Sequence, residues 1–248
     1  MYFVGQGKVF IGSRDALGNP LALRFVGNVP SLKFSLKTDV IEHAESTSGQ
    51  RATDARIIKG KSADFSCSLE DFTKENLALV LYGASSQIAS GTVTAEALPP
   101  GLVVGDFAAL KGQAVTSVVV KDSTPVTPLT LVAGTDYELN ADHGSIRILN
   151  LGAYVQPFKA DYTKGAVTSI NMLTQPLPER FVRFEGLNIA DSNKPVLIEL
   201  YRVAVDPLKE LEMIGESVAS FDLSGSVMID ALKANDPVLG QFGRIVQV

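Results

Sequence analysis

Apolar and polar residues alternate with a period of two along much of this chain. That period belongs to β-strands, whose successive side chains point to opposite faces. Lys33-Phe34-Ser35-Leu36-Lys37 puts Phe34 and Leu36 on one face and the other three on the opposite face. Ala63-Asp64-Phe65-Ser66-Cys67-Ser68-Leu69 repeats the pattern, with Ala63, Phe65, Cys67 and Leu69 inward. Further strands are expected at 8–11, 21–26, 115–121, 145–149, 166–171, 181–184, 196–203 and 219–224. Turn chemistry separates them, as in Leu17-Gly18-Asn19-Pro20 and Asp191-Ser192-Asn193-Lys194-Pro195. Gly tolerates positive φ there, and Pro fixes φ and lacks a donor.

Two stretches carry helical spacing instead. Residues 73–82 set Leu77, Val80 and Leu81 on one face. Asp71 or Thr73 can cap that helix, and Gly83 is placed to take the left-handed C′ conformation. Residues 226–235 set Met228, Ile229 and Leu232 together, and Asp236-Pro237 ends the run. The expected class is mainly β with one or two short helices, arranged as a β-sandwich or barrel.

Three segments differ in texture. Residues 1–90 and 166–248 echo each other: Arg24-Phe25-Val26-Gly27 recurs as Arg183-Phe184-Glu185-Gly186, and Ala63–Ser68 as Ala219–Ser224. The echo reads either as a tandem duplication or as two unrelated hairpin-plus-helix units. Residues 91–165 are broken by Pro99-Pro100-Gly101 and by Ser123-Thr124-Pro125-Val126-Thr127-Pro128. There Gly134–Asn140 leads through Asp142-His143-Gly144 into Ser145–Leu149, a strand, a tight turn and a return strand. This middle segment is a β-rich insertion or a connecting module.

Between two strands of the first segment, residues 39–57 read as a long polar connection. Hairpin loops usually have two to five residues, so a long one points to function. Glu42 and Glu45 come early; Arg51, Arg56, Lys59 and Lys61 come late. With His43, Gln50 and Asp54 they compose a two-signed arm suited to docking on another copy, where opposite charges fix register. The shorter stretch 204–211 is its counterpart in the third segment.

Candidate chemistry is sparse. With 22 Lys+Arg against 27 Asp+Glu the chain is net acidic, which disfavours a nucleic-acid-gripping surface. Gly5-Gln6-Gly7-Lys8 lacks the spacing and hydroxyl of a phosphate-binding loop, and Ser224-Gly225-Ser226 is no nucleophile elbow. Two histidines, His43 and His143, sit apart in turn-like sequence, and Cys67 alternates with Phe65 and Leu69 as a buried small hydrophobe. One cysteine allows no intrachain disulfide, and with two histidines it makes a zinc site unexpected. No catalytic, cofactor-binding or metal-binding residue is therefore assigned, and no cofactor. No secretory signal is read at residues 1–8, and no stretch reaches the roughly 18 apolar residues of a membrane helix.

Gly27-Asn28-Val29-Pro30, the strand at 33–37, the polar arm, the strand at 63–69 and the helix ending at Gly83 follow one another in an order that resembles the tail tube (major tail) proteins of long-tailed, non-contractile bacteriophages. The Gly-Thr-Asp-Tyr run with Gly144 and Ile146 also resembles a segment common in phage tail proteins. The resemblance covers residues 20–85 and, more loosely, the C-terminal part. It implies a β-sandwich flanked by a helix, packed into rings that stack as a tube around a tape measure protein and later conduct DNA. The arm would then reach the adjacent ring, with Glu42, His43, Glu45, Gln50, Arg51, Asp54, Arg56 and Lys59 as its stacking residues. Implied partners are further copies, as hexamers or as trimers of a duplicated domain with pseudo-sixfold symmetry. Others are the tape measure protein, the tail terminator, tail-tip or baseplate proteins, and DNA in transient, non-specific passage, with no membrane. The implied location is the virion, after synthesis in the host cytoplasm. A net acidic chain would also suit a lumen that repels phosphate. The alternatives are a baseplate or tail-completion ring that does not polymerise, and a non-enzymatic β binding module.

Overall fold

A computed structural model describes residues 2–233 and 236–247. In chain order the elements are β1 (Gly5–Arg14), β2 (Pro20–Phe25), β3 (Ser31–Ala44), β4 (Thr53–Leu69) and α1 (Lys74–Val80). Then come β5 (Ser85–Ile88), β6 (Gly91–Ala97), β7 (Phe107–Ala109), β8 (Thr116–Lys121), β9 (Tyr137–Asn140), β10 (Ser145–Ile148), β11 (Lys159–Lys164) and β12 (Val167–Ile170). The last are β13 (Glu179–Asn188), a 3-10 turn at Ile189–Asp191, β14 (Lys194–Val205), β15 (Phe221–Val227) and β16 (Gly243–Gln247). The molecule is mainly β, as the period-two pattern requires.

The chain forms two compact units, Met1–Ala84 with Ile170–Val248, and Ser85–Ser169. The first holds an eight-stranded sheet in the order β2-β1-β13-β14-β15-β4-β3, with β16 also on β14. β14 is long enough for two partners on one side: Val196–Leu200 pair with β16, and Val203–Val205 with β15. Its core gathers Val9 and Ile11 of β1, Phe65, Cys67 and Leu69 of β4, Val203 and Val205 of β14, and Phe221 and Leu223 of β15. Leu79 and Val80 of α1 pack onto it. Each fully buried side chain of this kind contributes about 1.5–3 kcal/mol.

The two ends thus meet in a single sheet with a single core. β15 lies against β4, with Phe221 opposite Leu69 and Gly225 opposite Phe65. The echoed segments at 63–68 and 219–224 meet in β4 and β15, with Cys67 opposite Leu223. Phe25 ends β2 at the rim of the sheet, whereas Phe184 lies inside β13 opposite Val9. Neither 1–90 nor 166–248 is a separate body, because the alternating apolar face of β4 is covered only when strands from the other end join it.

The second unit has two three-stranded sheets, β7-β10-β9 and β6-β11-β8, and a two-stranded ribbon of β5 with β12. The strand, turn and return strand read at 134–149 are β9 and β10, paired from Asn140–Ser145 to Tyr137–Ile148. Val120, Ile146, Ile148, Phe158, Ala160 and Tyr162 are buried in its core. Two buried carboxylates tie its loops. Asp122 accepts from the amides of Thr124, Leu129 and Val155, and Asp136 from the amide of Val132, Asn150 Nδ2 and the Tyr154 hydroxyl.

Both helix expectations need correction in detail. α1 starts where expected, with Thr73 Oγ1 accepting from the Asn76 amide at 3.2 Å. At its end the left-handed residue is Tyr82 (φ 51°), not Gly83. Gly83 is needed for room instead: a Cβ there would lie 1.8 Å from the Asn171 carbonyl oxygen. The run expected as a helix at 226–235 is not helical over its described part. Ser226 and Val227 extend β15 opposite Asp64 and Ala63, and the Met228 amide donates to the Arg202 carbonyl at 2.7 Å. Asp230 is then buried on Arg14 at 2.7 Å. Sheet pairing and this ion pair override the local helical spacing; residues 234 and 235 lie outside the described residues.

Candidate functional site

The polar connection expected at 39–57 is not a loop. β3 and β4 form one antiparallel hairpin from Ser31–Ser68 at its root to Ala44–Thr53 near its end, and only residues 45–52 turn. Val40, Ile41, Ile57 and Ile58 extend the ladder into the polar stretch, since β-branched side chains favour strand conformation. Lys59 is an extra residue on β4, between the pairs Asp39–Gly60 and Val40–Ile58.

The tip is held by its own groups. Glu45 accepts from the amides of Thr47 (2.7 Å) and Ser48 (2.8 Å), from the Thr47 hydroxyl (2.8 Å) and from the Ser48 hydroxyl. The Ser48 hydroxyl and amide, then those of Thr47, draw its carboxyl down to about 2. Gly49 (φ 80°) and Arg51 (φ 50°) take the left-handed turn positions around Gln50. The Glu45 amide closes the turn on the Ala52 carbonyl at 2.9 Å.

Antiparallel pairing also decides where the arm's charges go. It folds the early acidic half onto the later basic half. Glu42 meets Arg56 at 3.7 Å, Asp39 meets Lys59 at 3.9 Å, and His43 Nδ1 meets Asp54 at 2.6 Å. These pairs are exposed, so each is worth about 0–1 kcal/mol. Of the charges expected to fix register with another copy, Glu42, Arg56 and Lys59 are thus directed at partners within the arm. Of the expected arm residues, Glu42, His43, Asp54, Arg56 and Lys59 line the ribbon, and Glu45, Gln50 and Arg51 form its tip.

The sheet ends expose apolar side chains. Phe34 and Leu36 point to the same face as Phe65 and Ala63, as the alternation requires, yet Leu36 is 70% exposed while Phe65 is 2% exposed. β3 ends the sheet and has a neighbour on one side only. The other end of the sheet, β2, likewise exposes Leu21, Leu23 and Phe25. Between β1 and β3 a groove of about 820 Å³, lined by Phe3, Val9, Phe34, Phe65, Phe184 and Ile198, leaves the core side open. The opposite face of β3, β4 and β15 is small and polar: Lys33, Ser35, Lys37, Asp64, Ser66, Ser68, Asp222, Ser224 and Ser226. Lys37 pairs there with Asp64.

The chain exposes 15213 Å². Two separate compact units of these lengths would expose about 12,700 Å², so about 2,500 Å² is in excess of what closed folds of this size leave bare.

Elsewhere the chemistry is quiet. Cys67 is buried in the core, and burial, with Asp222 nearby, pushes its thiol up to about 12, far from a nucleophilic thiolate. His143 rests on Asn140 at its turn. Among the described residues no group of three or more His, Cys, Asp and Glu is placed to hold a metal ion, and no helix is long and apolar enough to cross a membrane.

No curated protein matches this sequence. A family model described as "Protein of unknown function UCP028589" matches residues 2–246. The match spans both units and the hairpin between β3 and β4, and the chain belongs to that family.

Proposed function

We propose that this chain is a structural, non-enzymatic subunit that self-assembles into stacked rings forming a phage tail tube. The observation that carries the reading is the pair of unpaired sheet ends, β2 and β3, both with exposed apolar side chains. A long bare edge strand invites pairing with another chain, and monomeric proteins normally block it. The two ends differ in sequence, so β3 of one copy meeting β2 of the next is a head-to-tail contact. Such a contact closes into a ring or runs on as a filament.

In this reading the apolar face of the sheet is covered on the outside, and the serine-rich face of β3, β4 and β15 lines the lumen. Its charges, two lysines against two aspartates, nearly cancel, so passing DNA meets a small polar wall and not the acidic one that net charge alone suggests. The tape measure protein fills that lumen before ejection, and terminator and tail-tip proteins cap the ends. The subunit resides in the virion.

Electron microscopy of the purified chain at rising concentration, with light scattering for mass, tests the reading. Tubes or stacked rings with a central hole are expected, and their symmetry counts the subunits. Rings that never stack would favour a tail-completion or baseplate role. A particle that stays monomeric even with tail-tip complexes added would overturn self-assembly. It would favour a binding module, for which exposed Phe107 beside Arg147 on the β7-β10-β9 face is the place to look.

A further inference from the structure

The chain has nine arginines. Arg14, Arg56, Arg147, Arg183, Arg202 and Arg244 each pair with a carboxylate. Among the described residues, Arg24, Arg51 and Arg180 have no carboxylate within 4.0 Å. Arg51 is exposed at the hairpin tip, but Arg24 and Arg180 are half-buried and line one cleft of about 650 Å³. Register brings them there. Arg24 stands opposite Ile11 of β1, Ile11 stands opposite Val182 of β13, and Arg180 comes two residues before Val182. Opposite and alternate residues share a face, so both arginines lie on the core side of the sheet, beside α1. Glu179 faces the other side, where Arg202 holds its carboxylate at 2.7 and 2.8 Å. Glu75 of α1 lines the cleft too, 3.8 Å from Lys74. Each guanidinium donates to one carbonyl, Arg24 to Phe25 at 3.4 Å and Arg180 to Glu179 at 2.9 Å. Most of the five donors on each fork are left for a ligand. Burial, and then Arg24 beside it, draw the Arg180 guanidinium below its ordinary value.

We propose that this cleft binds a small organic carboxylate, held by the Arg24 and Arg180 guanidiniums with its apolar part against Leu79, Pro176 and Leu177. Two like charges side by side and partly out of water repel each other, and an anion between them relieves that repulsion. The planar fork of a guanidinium matches the two oxygens of a carboxylate. Charge favours a single carboxylate over a phosphate dianion, because two cations with Glu75 on the same cleft leave one net positive charge. The wall favours an organic tail, since Ala78, Leu79, Pro176, Leu177 and Pro178 line it and Leu177 is 53% exposed. The volume falls within the range of about 300–1,000 Å³ that takes small ligands. All of these residues belong to the unit with the eight-stranded sheet, and the site does not depend on whether the chain assembles.

Phenylglyoxal labelling of the full chain, read at each arginine by peptide mass, tests the site, with exposed Arg51 as the reference. Hexanoate is the probe, and acetate and inorganic phosphate are run beside it at equal concentration and ionic strength. Hexanoate is expected to slow labelling of Arg24 and Arg180 at least fivefold and to leave Arg51 unchanged, with acetate less than half as effective. No slowing at the pair, equal slowing at Arg51, or slowing by phosphate that matches hexanoate overturns the proposal. Two variants give a second arm. Arg180→Gln is expected to abolish the protection of Arg24 by hexanoate, with an unfolding midpoint no lower than the parent's because the repulsion is gone. Leu177→Ser, a change at an exposed position, is expected to bring hexanoate down to the level of acetate. Parent-like protection in either variant overturns the assignment.

Discussion

The hairpin of β3 and β4 is one ladder with two fates. At its root, Ala63, Phe65, Cys67 and Leu69 are buried against β15 and α1, and their polar neighbours face away. Beyond Val227, the last β15 residue paired to β4, the same strand has a neighbour on one side only, and Ile57 and Ile58 are more than half exposed. The root alternates apolar with polar residues, whereas the arm is mostly polar or charged and carries its apolar residues as adjacent pairs, Val40-Ile41 and Ile57-Ile58. The two also differ in what is beside them. The root serves the fold, and in our reading the outer arm serves an assembly.

Substitutions can break that comparison in order of size. Phe65→Ala at the root should lose about 3–5 kcal/mol of folding stability, the usual loss for emptying a buried phenylalanine site. Denaturant unfolding measures it, and a loss under 1 kcal/mol would mean that the root is as loose as the arm. Thr73→Ala removes the α1 cap that supports the root and should lose about 1 kcal/mol by the same measurement.

The second unit supplies an internal reference through pH. Burial alone would raise the Asp122 carboxyl, but the Thr124 hydroxyl and the amides of Val155, Leu129 and Thr124 outweigh it and hold it at about 2. A carboxylate lowered on folding stabilises fully above its ordinary range near 3.8, and that contribution is lost as pH falls toward 2. Acid titration followed by signals from this unit should show the loss, and Asp122→Asn should flatten it.

At the arm the expected order inverts. Ile57→Ser should move folding stability by no more than about 0.5 kcal/mol, the range for exposed positions, yet remove assembly. Smallest of all is the effect of Arg51→Glu with Arg56→Glu. If apolar rungs dock the arm, this charge reversal should alter ring stacking far less than Ile57→Ser does, as counted from micrographs of the two variants side by side. Equal loss in both would return the docking role to the charges.

Much of this protein follows from local chemistry. Period-two alternation requires strands wherever it occurs, so the β class, the strand at 63–69 and the β9–β10 hairpin were legible from residue types alone. Thr73 followed by helical spacing likewise specified α1. At 226–235 the helical spacing of Met228, Ile229 and Leu232 competes with pairing of Ser226 and Val227 to β4 and of Met228 to Arg202, and pairing is invisible along the chain. Acids and bases counted in order along the arm look separate and suggest a two-signed loop, whereas an antiparallel turn at Glu45–Ala52 superposes them.

The sequence by itself determined which segments are strands and which side of each strand is apolar, because the pleat fixes side-chain direction residue by residue. Only the tertiary structure decided that the two ends share one sheet, that β2 and β3 are its open limits, and that the rungs Val40–Ile58 and Ile41–Ile57 face opposite ways. Strand order and register come from contacts between residues far apart in sequence, and those contacts set which apolar faces are covered and which stay bare.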